Sequence, residues 1–435
     1  MSDPRWRNWA GNQRCEPSDT VHPATVDELA ATITAAAQRG LHVKPVGAGH
    51  SFTPIALTDG IQLDLDRLTG ITAVVPESGR GTTLVTVRGG TRLAELNATL
   101  ATLGLALENL GDIDRQTITG ALATGTHGTG ARLGGLATQV AALTLVTADG
   151  SVLRCDAEQH PDVFAAARVG IGALGVVSDV TLRCVPAFRL RAIERPGRLA
   201  ETLESFPETV QAHDHAEFYW FPHTDRVLTK VNDRAEDGRP LNRLRFLLDD
   251  EVLSNGLFRV VNEIGRLRPS AIPTINQVSA RALSARTYTA PSYQVFTSPR
   301  RVRFSESEYA VPRAALPDVI GALRGWLDGH DETVAFPVEV RVAAADDIWL
   351  STGFERENAY VAVHQFNKRP DQRYFAAFES IVAEHAGRPH WGKLHTLDAA
   401  RLAALYPRHA DFVAVRDRLD PGRTFDNGYL RRVLG

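Results

Sequence analysis

The chain has 435 residues, 43% of them hydrophobic and 23% charged, with a formal net charge of -3. Such a composition fits a soluble globular protein of two or three domains, and the balance excludes a general affinity for nucleic acid or an anionic membrane. Three scattered cysteines, Cys15, Cys155 and Cys184, argue against a disulfide framework or a zinc site.

The opening MSDPRWRNWAGN is polar and lacks the apolar core of a signal peptide. No run reaches the length of a membrane span. A cytoplasmic enzyme or binding protein with no transmembrane segment is therefore expected, with a peripheral membrane association left open. Thr25 and Glu28 predict a capping box ahead of Leu29, Ile33 and Ala37, and Gly40 ends that helix. A short strand, 42–46, runs into the loop VGAGHSFTP. Ile61, Leu63 and Leu65 alternate with polar residues as a half-buried strand does. TLVTVRGG is a strand stopped by Gly89 and Gly90, and Leu93, Leu96 and Leu100 share one helical face. VAALTLVTADGSVLRC predicts a hairpin turning at Asp149 and Gly150. GVVSDVTLRCVP is a strand closed by Pro186. Beyond it, AEFYWFP, RVRFSESEYAVP, VAFPVEVRVA and YVAVHQF read as longer aromatic and β-branched strands. The most helical part of this half is 241–267. A second, α+β unit around a larger sheet follows.

Several motifs carry two readings. GIGALG contains Gly170, Gly172 and Gly175 in the dinucleotide spacing, but a helix precedes it and a strand follows. A dinucleotide site needs the reverse order, so a nicotinamide fingerprint is rejected, while its amides stay available to a phosphate. VGAGHSFTP is either a surface turn or a cofactor cradle with a histidine at its tip. TGALATGTHGTG (119–130) is either a close-packed loop or an anion nest. No P-loop lysine motif and no G-x-S-x-G elbow occurs. In PVEVRVA, Val338, Val340 and Val342 face one side and Glu339, Arg341 and Ala343 the other. That pair is a solvated strand face or a charged wall over a reactive centre. HWGK (390–393) sets an imidazole, an indole and an amine beside a glycine. His213 and His215 share a strand face but lack a third metal ligand, and Arg300, Arg301 and Arg303 read as a solvated basic edge.

Taken in order and spacing, WRNWAGN, VGAGHSF, ENLGDIDRQTITGALATGTHGTG, VEVR, VHQF, RPHWGK and RLDPGRTFDNGYLRRVLG resemble the aldonolactone oxidoreductases of the vanillyl-alcohol-oxidase flavoprotein superfamily. That group includes gulonolactone, galactonolactone and arabinonolactone oxidases and dehydrogenases, with alditol oxidase a close relative. The resemblance spans nearly the whole chain. It implies an α+β fold with an FAD-binding domain (1–187), an α+β substrate cap domain (188–410) and a C-terminal segment (411–435) returning to the first.

It also implies roles for named residues. His50 matches the histidine that bonds to the 8α-methyl carbon of FAD. Gly47, Ala48, Gly49 and Ser51 would bind the pyrophosphate, with Gly175 and Val176 adding backbone contacts. Gly120, Thr124, Gly125, His127 and Gly128 would line the flavin from the other side. Arg341 and Lys393 match active-site cations that stabilise charge as C2 of a sugar lactone gives a hydride to flavin N5. Glu339 would orient Arg341 and bind a substrate hydroxyl, and His364 would line the substrate pocket. The product would be an ascorbate-type enediol, and no metal is implied. Gly111 stands where oxygen-using relatives carry glycine, so the acceptor is O2 or a separate quinone or cytochrome. Asp112 replaces a serine of alditol oxidase, which disfavours alditols. The rivals are an alditol or other sugar oxidase on the same scaffold and a non-catalytic flavin-binding protein. Three charges over the flavin speak against the latter.

Overall fold

The computed structural model describes residues 6–238, 258–298 and 302–435. The first helix, Val26–Gln38, starts at Thr25, whose hydroxyl accepts the amide of Glu28 at 3.1 Å. The Glu28 carboxylate reaches back to the amide of Ala24 at 2.8 Å, one residue earlier than a standard capping box. Leu29, Ile33 and Ala36 form its buried face, with Ala37 at the margin. They share a core with Val43, Ile61 and Leu63 of a three-stranded parallel sheet ordered Asp19–Val21, Ile61–Asp64, Val43–Val46. Ile61–Asp64 is the central strand, and Gln62 is buried along with Ile61 and Leu63. The expected wet face is absent, since Gln62 is as buried as its apolar neighbours.

An antiparallel sheet follows, ordered Val152–Asp156, Val140–Val146, Val176–Pro186, Thr83–Arg88, Ile71–Pro76, with Leu105–Ala106 paired to Val176–Pro186. The hairpin between Val140–Val146 and Val152–Asp156 turns over five residues rather than two. Thr147 donates its amide to Ser151 and Gly150 donates to Thr147. The glycine cluster 119–130 is only partly a loop, because Ile118–Ala123 is helical, with the Thr117 hydroxyl accepting the Gly120 amide.

The second half is organised on an eight-stranded antiparallel sheet. Its order is Arg286–Pro291, Arg189–Arg198, Arg226–Arg234, His215–Trp220, Val338–Ala343, Asn358–Phe366, Phe304–Pro312, Arg388–Pro389. Val338, Val340 and Val342 point into the main core. Within 241–267 the helix Phe258–Leu267 is described; the earlier part, like Arg300 and Arg301, lies outside the described residues.

The chain then returns to the N-terminal segment. Phe52 donates its amide to Gly392 at 2.7 Å, and the Thr53 hydroxyl donates to Trp391 at 3.0 Å. Val43 donates to Thr424 at 2.8 Å, and Phe425 joins the Leu29–Ile33 core. Asn427 caps the last helix, Gly428–Leu434, and its amide nitrogen holds three carbonyls of the 54–57 turn. Among the described residues no helix is long and apolar enough to cross a membrane.

Candidate active site

The strand Val43–Val46 delivers its chain directly into a cavity. Gly47 to Ser51 form one wall, residues of the Thr117–Thr124 segment the facing one, and the loop 170–176 the floor. With its mouth the space is about 1230 Å³. Among the described residues, the amides of Gly47, Ala48, Gly49, His50 and Ser51 donate to no protein acceptor. These five residues are half-buried, and a run of unpartnered amides lining a cavity is a nest for an anion. Gly47 is needed for contact: a Cβ there would sit 2.4 Å from the Thr117 hydroxyl.

His50 stands at the far end of this cavity and also lines a second, larger one. Its imidazole stacks on Trp9 with ring centres 5.3 Å apart. Burial, then the charges of Lys393 and Arg92, push its pKa down to about 4. The ring is therefore neutral at physiological pH, with a nitrogen lone pair available.

The second cavity, about 2680 Å³ with its opening, lies over the eight-stranded sheet. Its wall consists of alternate residues of neighbouring strands. Glu339 and Arg341 form an ion pair, both less than 9% exposed. The solvated-face reading of this pair is thereby corrected, because Glu217 and Tyr219 of the adjacent strand pack and bond against it. Arg341 Nε also donates to Glu217 at 2.9 Å, and the Tyr219 hydroxyl donates to Glu339 at 3.2 Å. Strand register extends this into a row of alternating charge. Arg341 meets Glu217, Glu217 meets Lys230 at 3.2 Å, Lys230 lies opposite Glu194, and Glu194 grips Arg286 at 2.6 Å. Burial alone would raise the Glu217 pKa, but Lys230 and Arg341 outweigh it and hold the carboxylate below its ordinary range. The same carboxylates, opposing a burial penalty, hold Arg341 well above its ordinary value.

Lys393 pairs with Glu306, and His364 approaches the same carboxylate at 3.5 Å. Burial disfavours the Lys393 cation, yet Glu306 and Glu308 more than compensate, so its pKa is raised. Glu308 accepts from His127 at 3.1 Å, and His127 stacks on Tyr360 at 3.5 Å between ring centres. Burial pushes His390 down to about 3. The site thus presents two fixed cations, Arg341 and Lys393, each anchored by carboxylates, on the same cavity as neutral His50. Such an arrangement can stabilise an oxyanion without proton transfer from the cations.

Of the cofactor candidates, Gly47, Ala48, Gly49, His50, Ser51, Gly120, Thr124, Gly175 and Val176 line the first cavity. Gly111 and His127 line the second. Gly125 and Gly128 line neither. A Cβ on Gly128 would meet Leu110 O at 2.3 Å, so it serves backbone packing. Glu339, Arg341, His364 and Lys393 all line the second cavity. His213 and His215 diverge: His213 binds Asp233 at 2.8 Å, whereas His215 is buried against Phe296. Sequence reasoning missed Glu217, Lys230, Glu306 and Glu308. FSESEYA did carry a signal, two acids spaced to share one face of an apolar strand.

A family model described as D-arabinono-1,4-lactone oxidase matches residues 180–433, and one described as FAD binding domain matches residues 17–156. The L-gulono-1,4-lactone dehydrogenase of Mycobacterium tuberculosis is 45% identical over 433 residues, covering 99% of each chain. The L-gulonolactone oxidase of Scyliorhinus torazame is 34% identical, covering 99% of this chain and 98% of that one. Among solved structures, a variant of cholesterol oxidase from Brevibacterium sterolicum superposes with a TM-score of 0.85 at 18% identity. It covers 99% of this chain and 97% of that one, a likeness of fold.

Proposed function

The chain belongs to the D-arabinono-1,4-lactone oxidase family of FAD-binding oxidoreductases, and on that premise we propose that it oxidises an aldono-1,4-lactone, L-gulono-1,4-lactone or a close relative, at C2. One observation carries the reading: the amide-lined cavity and the charged cavity meet at His50. The residues present fit FAD. Unpartnered amides at 47–51 suit its pyrophosphate, and Gly47 keeps the wall thin where a side chain would clash with Thr117. Bound there, FAD supplies the hydride acceptor.

The chain's own groups do the rest. As hydride leaves C2, its hydroxyl releases a proton to solvent through the cavity's opening, and negative charge develops on the oxygen as that proton departs. Arg341 and Lys393, held charged by buried carboxylates, stabilise that oxygen without reorganising. Glu339 is fixed by Arg341 and Tyr219 on the wall of the substrate cavity and would bind a lactone hydroxyl. His364 borders the same space. His50, neutral and stacked on Trp9, is the proposed covalent attachment point for the flavin. We assign the cofactor to residues 1–187 with the 411–435 return, and substrate to 188–410. Electrons would pass to O2 or to a separate quinone or cytochrome. Gly111 favours O2 access: a Cβ there would press on Thr126 at 3.0 Å. An ascorbate-type product and a cytoplasmic setting complete the reading.

The test is acid denaturation of the purified protein followed by lactone turnover. Flavin retained by the polypeptide, and lost in His50→Ala, supports the covalent link. Faster turnover of xylitol than of L-gulono-1,4-lactone would replace the substrate assignment with an alditol.

A further inference from the structure

Another cavity, about 910 Å³ with its opening, lies at one end of the large sheet and shares no lining residue with the other two. It forms where the strand His215–Trp220 ends, with residues of the helices Ile272–Arg281 and Leu316–Gly329 as its sides. Four guanidinium groups, Arg198, Arg226, Arg281 and Arg324, line it against two carboxylates, Asp225 and Asp328.

The carboxylates are already engaged. Asp225 pairs with Arg198 and lies 3.9 Å from Arg226, and Asp328 lies 3.7 Å from Arg324. The Arg281 side chain has no ion pair or hydrogen bond among the described residues. His223 is held in a left-handed backbone conformation, φ 64°, and its Nε2 accepts the amide of Val334 at 3.1 Å. That bond leaves Nδ1 as a further donor. Burial lowers the His223 pKa, so it contributes a neutral donor and not a fifth cation. The lining is therefore rich in donors and carries surplus positive charge. Planar guanidinium forks match the oxygens of a phosphate group. The space exceeds one phosphate and leaves room for an organic body.

We propose that this cavity is a second ligand site, for a small phosphorylated metabolite, separate from the cofactor and substrate cavities. Trp220, buried at its base with its indole donating to Thr224 O at 3.0 Å, is a built-in reporter.

The test uses the flavin-loaded full chain, so that the pyrophosphate nest is filled, and titrates inorganic pyrophosphate by calorimetry and tryptophan fluorescence at constant ionic strength. Saturable binding is expected, weakened at least about tenfold in Arg281→Ala/Arg324→Ala and in Arg281→Ala alone, with flavin content unchanged. These side chains are exposed, so folding is preserved. Binding no tighter than chloride, unchanged affinity in both variants, or tighter binding of citrate than of pyrophosphate would overturn the proposal.

Discussion

The two cavities that meet at His50 are made by opposite means. The first carries its polar character on the backbone: glycines and small residues at 47–51 and 170–175 whose amides at 47–51 have no protein acceptor, among apolar strand and helix residues. The second is walled by side chains: ionised groups from separate strands, each neutralised by a neighbour. A backbone wall recognises shape and anionic charge cheaply, since the amides must be satisfied anyway. A wall of buried charges is costly to build, because each ion loses its hydration, and breaking one pair costs about 3–5 kcal/mol. What that cost secures is an electrostatic field fixed before the substrate arrives.

The contrast predicts where substitutions act. Arg341→Ala should lower kcat/KM for lactone by ~10²–10³, the scale for removing one donor to a developing oxyanion, while flavin content stays full. Arg341→Lys should recover only part, lacking the fork that holds both Glu217 and Glu339. Loss of flavin from Arg341→Ala would break the separation between the two walls.

A second effect concerns acid and acts on stability instead of turnover. Burial lowers the pKa of His215 to about 4 and of His390 and His395 to about 3, against 6.5 when exposed. Below pH 6.5 the unfolded chain binds protons that the folded chain refuses, so stability falls as pH falls, until the folded values are reached. The slope is about 1.4 kcal/mol per pH unit for each histidine. The buried acids Glu217, Glu306 and Glu308 sit below their ordinary 4.5, so their stabilisation persists down to that pH. Denaturant midpoints measured between pH 7 and 4.5 should therefore drop, and a flat profile would contradict neutral burial of these rings.

The smallest effect is on the backbone wall. Gly47→Ala, which crowds the Thr117 hydroxyl, should lower flavin occupancy at a given FAD concentration, while turnover per bound flavin stays near wild type. Visible absorbance against protein concentration, with activity normalised to flavin, checks both halves.

The same contrast explains what the sequence disclosed. VGAGHSFTP was legible because a backbone-walled site is local: its glycines and its histidine are neighbours in the chain. Glu339 and Arg341 stood out because two charges interrupt a valine alternation. Glu217 and Lys230 did not, since their meaning lies in register with strands more than a hundred residues from Arg341. Gln62 was misread as wet because alternation of residue types cannot tell whether the second face of a strand is covered. Gly125 and Gly128 were assigned to the cofactor through a motif, whereas Gly128 is required by the approach of Leu110.

The clamp beneath the first cavity has a consequence for how the protein matures. Lys44, which lines that cavity, is fully buried, and its ammonium is held by the carbonyls of Gly172 and Phe425 at 3.0 and 2.9 Å. Position 44 leaves the ribosome long before position 425. Until the later segment emerges, this lysine lacks its second acceptor, and the contact that supplies it spans nearly the whole chain. On the proposed placement of the flavin, a chain interrupted before Phe425 would lack the second acceptor of a lysine that lines the cofactor cavity.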